Sequence, residues 1–109
     1  MATTTFTSYI NKNVGTAVAT VVTAGAGAQT NLIGMTCANT TNTAVTVSVY
    51  VTKSGQDFFI VRDATVPAGG TLVPIGGDQK MALNPSDILR VTASTATCID
   101  VITSALVVT

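Results

Sequence analysis

The sequence predicts an all-β protein: a single small antiparallel β-sandwich of about eight to nine strands. Three observations carry this. Thr (21), Val (15) and Ala (14) supply 50 of the 109 residues, and branching at Cβ stiffens χ1 in a way that suits a pleated strand. Apolar and polar residues alternate with a period of two in several runs. Clusters of Gly, Pro, Asn and Asp break those runs every ~8–12 residues, the rhythm of a sandwich or barrel. Whether the topology is jelly-roll or immunoglobulin-like is left open by these patterns.

In chain order, strands are expected near residues 4–10, 15–23, 29–38, 43–53, 57–65, 70–75, 79–83, 87–94 and 97–108. Residues 1–13 stand apart from the sandwich domain, 14–109. They are rich in Thr and Asn, with Phe6, Tyr9 and Ile10 as the large apolar side chains. They read either as a first sheet strand or as an arm that anchors on a neighbouring subunit. Thr16 to Ala28 holds much Ala, but its Val, Thr and two glycines argue for strand then loop.

Val45, Val47, Val49 and Val51 alternate with Thr46, Ser48, Tyr50 and Thr52, a half-buried strand. Phe58-Phe59 puts one ring on each face of its strand, so one ring faces outward, as core or edge cover or as a contact site. Leu89, Val91 and Ala93 repeat the alternation, and Ile99, Val101 and Thr103 face opposite Asp100, Ile102 and Ser104. The run Ala105-Leu106-Val107-Val108 is apolar on both faces, as in a strand covered twice or paired with another chain. Turns are expected at Gly25 to Gly27, Asn39 to Asn42, Ser54-Gly55, Pro67 to Gly70, Gly76 to Asp78 and Asn84 to Asp87.

Charge and chemistry narrow the function. Ten charged residues, 9% of the chain, sum to a net charge of zero, so no phosphate-neutralising stripe for nucleic acid is expected. No long apolar run suggests a membrane span, and no basic segment followed by an apolar run suggests a secretion signal. The expected folding compartment is a cytoplasm, with Cys37 and Cys98 reduced and buried as small core residues. His, Glu and Trp are absent. Without His, Ser-His-Asp and Cys-His catalysis and His-containing zinc sites do not arise.

Asp57 and Asp63 could form a glycosidase pair only on one strand face beside an aromatic cleft, which this composition furnishes poorly. No calcium loop exists, and Gly25-Ala26-Gly27 lacks the Lys and helix of a phosphate loop. Asn39-Thr40-Thr41 matches a glycosylation acceptor but reads as a turn. No enzyme activity, cofactor or metal is expected. Low charge instead favours life inside an assembly.

A set of segments carries a resemblance. They are Thr23 to Thr30, Ile33-Gly34-Met35-Thr36-Cys37-Ala38-Asn39 and Val45 to Val49, then Val66-Pro67-Ala68-Gly69-Gly70-Thr71-Leu72 and Gly76-Gly77. Leu83-Asn84-Pro85-Ser86-Asp87-Ile88-Leu89-Arg90-Val91-Thr92 and Asp100 to Leu106 complete the order. Over residues 14–108 the chain resembles the small β-sandwich virion proteins of tailed bacteriophages. It departs where Ala24-Gly25 stands for Pro-Ala-Gly and Pro85-Ser86-Asp87 for the tighter Gly-Asp.

The resemblance implies a structural protein of the virion, made in the host cytoplasm. Its leading form is a capsid cement or decoration protein that oligomerises with itself and binds other virion proteins, the major capsid protein first. The alternatives are a neck, tail or fibre component and a carbohydrate-binding adhesin. The side chains expected at subunit contacts are Phe6, Tyr9, Tyr50, Phe58, Phe59, Leu106 and Val108.

Overall fold

The computed structural model describes residues 4–25, 27, 29–75 and 81–108. Nine strands follow one another: β1 (Thr4–Val14), β2 (Ala19–Thr23), β3 (Gln29–Asn39), β4 (Val45–Lys53) and β5 (Gln56–Val66), then β6 (Thr71–Ile75), β7 (Met81–Leu83), β8 (Ile88–Ala93) and β9 (Ile99–Val108). Among the described residues there is no helix. One sheet runs β1-β9-β3-β6, with β7 also on β3; the other runs β2-β8-β4-β5.

Every pairing is antiparallel, and the order shows how the chain winds. β1 pairs β9, β2 pairs β8, β3 pairs β6 and β7, and β4 pairs β5, nested like the rungs of one long hairpin. The pairs β3–β9 and β4–β8 join its two halves. This is the connectivity of a jelly roll in which one strand is broken into β6 and β7. Non-local pairing decides the topology left open by the local sequence pattern.

The alternation sets the core. Leu32, Met35, Cys37, Val47, Val49, Leu89, Val91, Ile99 and Val101 point between the sheets, each no more than 1% exposed. Full burial of a Val, Leu or Ile contributes about 1.5–3 kcal/mol, which lets so weakly charged a chain fold without a disulfide among its described residues.

Turn chemistry does the rest. Ser54 and Gly55 take φ of 54° and 78° between Lys53 and its partner Gln56, a two-residue loop whose twist matches the strands. The Gly70 N–H donates to Pro67 O at 2.9 Å across Ala68-Gly69, with Gly69 at φ 68°. At Asn84 to Asp87 the same kind of turn closes with Ser86 at φ 74°. Ser86 thus stands in a conformation that Gly adopts more readily.

Two boundaries differ by four residues from expectation, and the other described strand ends by no more than two. Residues 4–14 pair along β9 of the same chain, and β1 extends to Val14 through a register shift after Asn11, with Asn13 at φ 57°. β2 then begins at Ala19 rather than at 15. Gly15 causes the break: its carbonyl accepts from Ala93 N–H at 2.9 Å, and a Cβ there would lie 2.9 Å from Thr97 N. The chain crosses between sheets at that point. The expected turn at Gly76 to Asp78 and the start of the strand at 79–83 lie outside the described residues.

Candidate functional site

The outer face of the β1-β9-β3-β6 sheet is built by simple alternation. Thr4, Phe6, Ser8 and Ile10 of β1 face out opposite Val108, Leu106, Ser104 and Ile102 of β9. On β3 the rows continue with Asn31 beside Leu106, Gly34 beside Ser104 and Thr36 beside Ile102. Phe6 is 77% exposed, Ile10 71% and Ile102 51%. Exposed Val73 of β6 joins the Ile10–Ile102 row, because a bulge sets residues 73 and 74 against Thr36.

Two apolar ridges, Phe6–Leu106 and Ile10–Ile102, therefore flank a low strip of Ser8, Ser104 and Gly34. A hollow of about 310 Å³ opens beside Phe6, lined by Ser8 and Ser104 among others. No Lys, Arg or Asp occurs in residues 4–11, 29–39, 71–75 or 101–108. The nearest charges in sequence are Lys12 and Asp100 at one end, where Asp100 Oδ1 accepts from the Asn13 N–H at 3.0 Å.

The opposite sheet presents a different face. Tyr50 is only 7% exposed, because the Phe59 ring lies 5.0 Å away and covers it. The Arg62 guanidinium sits 5.3 Å above Phe59. Arg90 Nη1 donates to Thr52 Oγ1 at 3.2 Å, and Thr52 donates on to Asp57 Oδ1 at 2.7 Å. Asp63, at φ 51° in a bulge of β5, donates its N–H to Ser48 Oγ at 2.9 Å. This face carries charge and satisfies much of it internally.

A third feature lies at the rim between the sheets. Val51, Phe58, Ile60, Met81 and Leu83 line a cavity of about 390 Å³. The Lys53–Asp87 ion pair, 3.0 Å long, stands at its edge.

The residues expected at contacts thus divide. Phe6, Leu106 and Val108 share the charge-free face; Tyr9 is half-buried and packs on the core from β1. Phe59 caps Tyr50, and Phe58, 53% exposed, borders the side cavity. Ile10, Ile102 and Val73 belong to the charge-free face and were not singled out from sequence as contacts. Their signal was present: Ile102 is an apolar residue in the polar register of its strand.

The carboxylates singled out from sequence stand apart from one another in their bonding. Asp57 and Asp63 are each hydrogen-bonded to a hydroxyl of β4. Among the described residues no group of three His, Cys, Asp or Glu could hold a metal. Cys37 and Cys98 are free and buried, and burial pushes the Cys37 thiol up to about 12. No helix among the described residues is long and apolar enough to cross a membrane.

No family model and no curated protein sequence matches the chain. Solved structures do. The chain is similar to a structure of Bacillus endospore appendages, a family of disulfide-linked pili, at TM-score 0.55 and 12% identity, covering 98% of this chain and 88% of that one. It is also similar to a chain of the infectious bursal disease virus Gx strain, at TM-score 0.54 and 10% identity. That match covers 99% of this chain but 33% of the viral one, so the protein spans about a third of its length. At such identities the shared property is the fold.

Proposed function

We propose that the chain is a non-enzymatic structural subunit of a virion, a cement or decoration protein that self-associates and stabilises a phage head. One observation carries this reading: a sheet face with two apolar ridges, on which residues 4–11, 29–39, 71–75 and 101–108 hold no charged side chain and the charges of Lys12 and Asp100 are confined to one end. A protein that worked alone would expose that surface to water at a cost in solubility. The fold of the chain is shared with a virus protein and with a pilus structure, and both of those belong to assemblies. The resemblance of its turns and strands to phage virion proteins supports a virion building block, with the head as the leading position and neck, tail or fibre as the alternatives.

The mechanism is mechanical. Copies bound over joints in a shell act in parallel, so contacts that are weak singly add up over the particle. Binding to the assembled shell and not to its free parts shifts the equilibrium towards the shell. Particles carrying the protein should keep their DNA to a higher temperature than particles lacking it. Equal melting of the two would overturn the reading, and a copy number near a dozen, rather than hundreds, would move the protein to neck or tail.

The appendage match favours a filament subunit as a second reading, because it spans nearly both chains. Those pili are disulfide-linked, whereas Cys37 and Cys98 are buried here. A filament of this chain would have to form without these thiols, and electron microscopy of the purified protein with and without reductant tests that.

A further inference from the structure

We propose that the outer face of the β1-β9-β3-β6 sheet docks onto the same face of a second copy of this chain, with Phe6 of each copy seated in the hollow beside Ser8 and Ser104 of the other. This deepens the structural-subunit reading and rests on it, by naming the partner surface. Charge is the first argument. In a two-fold contact every group meets its own kind or its symmetry neighbour, and like charges brought together there are penalised. On this face residues 4–11, 29–39, 71–75 and 101–108 contain no charged residue, and Lys12 of β1 and Asp100 of β9 stand together at one end, while the opposite sheet carries Asp57, Arg62, Asp63 and Arg90.

Area is the second argument. The strands of this sheet, 11, 10, 11, 5 and 3 residues long, make a face of roughly 630 Å² at about 4.8 Å between strands and 3.3 Å per residue. Stable interfaces start at about 600 Å² from each partner. The whole face reaches that lower end, and a small part of it does not.

Shape is the third. Phe6 stands 77% exposed on one ridge, directly beside a hollow of about 310 Å³. The hollow is open to solvent and walled by Phe6 itself with Thr7, Ser8, Ser104 and Ala105, so a phenylalanine ring of a second copy can enter it from outside. Knob and hole on one face are the requirement for a self-complementary contact.

The test uses the full chain in analytical ultracentrifugation, with circular dichroism to check folding. The wild type should form dimers or even-numbered multiples at micromolar concentration. Phe6→Asp, which changes an exposed side chain, should weaken association about 30-fold or more while leaving the spectrum unchanged. Ser104→Tyr should also weaken it, by filling the hollow, whereas Phe58→Asp at the side cavity should not. A wild type that is monomeric at high concentration or odd-numbered overturns the proposal. So does association lost in Phe58→Asp and kept in both Phe6→Asp and Ser104→Tyr. Shell binding separates the two readings: a monomer that still stabilises shells overturns the docking alone, and a dimer that binds no shell overturns the cement reading alone.

Discussion

The side-chain amide of Asn39 donates to the main-chain oxygen of Val66 at 3.1 Å, in a site closed to solvent. The same nitrogen donates to Thr43 O and Pro67 O, and its Oδ1 accepts from Thr41 N–H and Thr41 Oγ1. One buried amide thus ties the β3–β4 turn to the β5–β6 turn. Its role in structure explains an acceptor-like triplet, Asn39-Thr40-Thr41, without any glycan.

Asn39→Ala should therefore be among the costly substitutions. It removes the donor to the buried Val66 carbonyl, while Thr43 O and Pro67 O keep other donors, and a loss of about 1–3 kcal/mol is expected in denaturant unfolding. Asn39→Asp should cost as much or more, since it sets a carboxylate against three carbonyl oxygens. A loss under about 1 kcal/mol in both would contradict this account.

Thr103 offers the reverse case. It lies fully buried among the inner residues of β9, and its Oγ1 has no hydrogen-bond partner. Thr103→Val keeps the branched shape and removes the unpaired hydroxyl. We expect a gain of about 1 kcal/mol, read as a rise of about 4–8 °C in Tm.

The strands were legible because they depend on local pattern: Val45 to Val51 alternate in sequence as they do between core and outer face. The Ser54-Gly55 and Pro67 to Gly70 turns were legible for the same reason, since their residues favour the required φ. The winding of β1 onto β9 was not, because Phe6 meets Leu106 across a hundred residues of chain. Nor was the burial of Tyr50. Its period-two position places it on the outer face, and only the register that brings Phe59 opposite covers it. The charge-free face was half legible. Its residues were visible as Thr, Ser and apolar alternation, but their convergence on one sheet needed the strand order.

Asp87 and Lys53 should respond unequally to truncation. Asp87 is 6% exposed, and its Oδ2 accepts both from Lys53 Nζ and from the Asn84 N–H, each at 3.0 Å. Lys53 is about half exposed. Asp87→Ala removes the side-chain bond to the Asn84 N–H, which braces the turn, as well as the ion pair, and should cost about 2 kcal/mol. Lys53→Ala should cost under about 1 kcal/mol, in line with partly solvated pairs. Equal losses in chemical denaturation would mean that the ion pair, not the turn, is what matters.

Cys37 gives the protein a defined response to alkali. Burial raises its pKa from 9.0 to about 12 in the fold. Between those values the unfolded chain has lost the proton and the folded chain keeps it, so stability falls as pH rises. The slope should be about 1 kcal/mol per pH unit. Below about pH 9 this contribution is fully present. Cys37→Ala should flatten that alkaline loss, whatever it does to stability at pH 7. In the folded wild type at pH 8, Cys37 should resist alkylation until the protein opens.

Phe59 decides whether the aromatic residues of β4 and β5 serve the fold or a partner. Its ring lies 5.0 Å from Tyr50 at an interplanar angle of 37°, with the Arg62 guanidinium on top. Such a pair contributes about 0.5–1.5 kcal/mol beyond area burial, and an exposed cation–π contact about 0.5–1 kcal/mol. Phe59→Ala should thus cost about 2 kcal/mol and uncover Tyr50. With no Trp in the chain, quenching of tyrosine fluorescence by acrylamide reports that exposure directly. The same variant should leave self-association unchanged, because the docking face lies on the other sheet. A variant of unaltered stability that loses its oligomeric state would instead make Phe59 a subunit contact, and Tyr50 the floor of that contact.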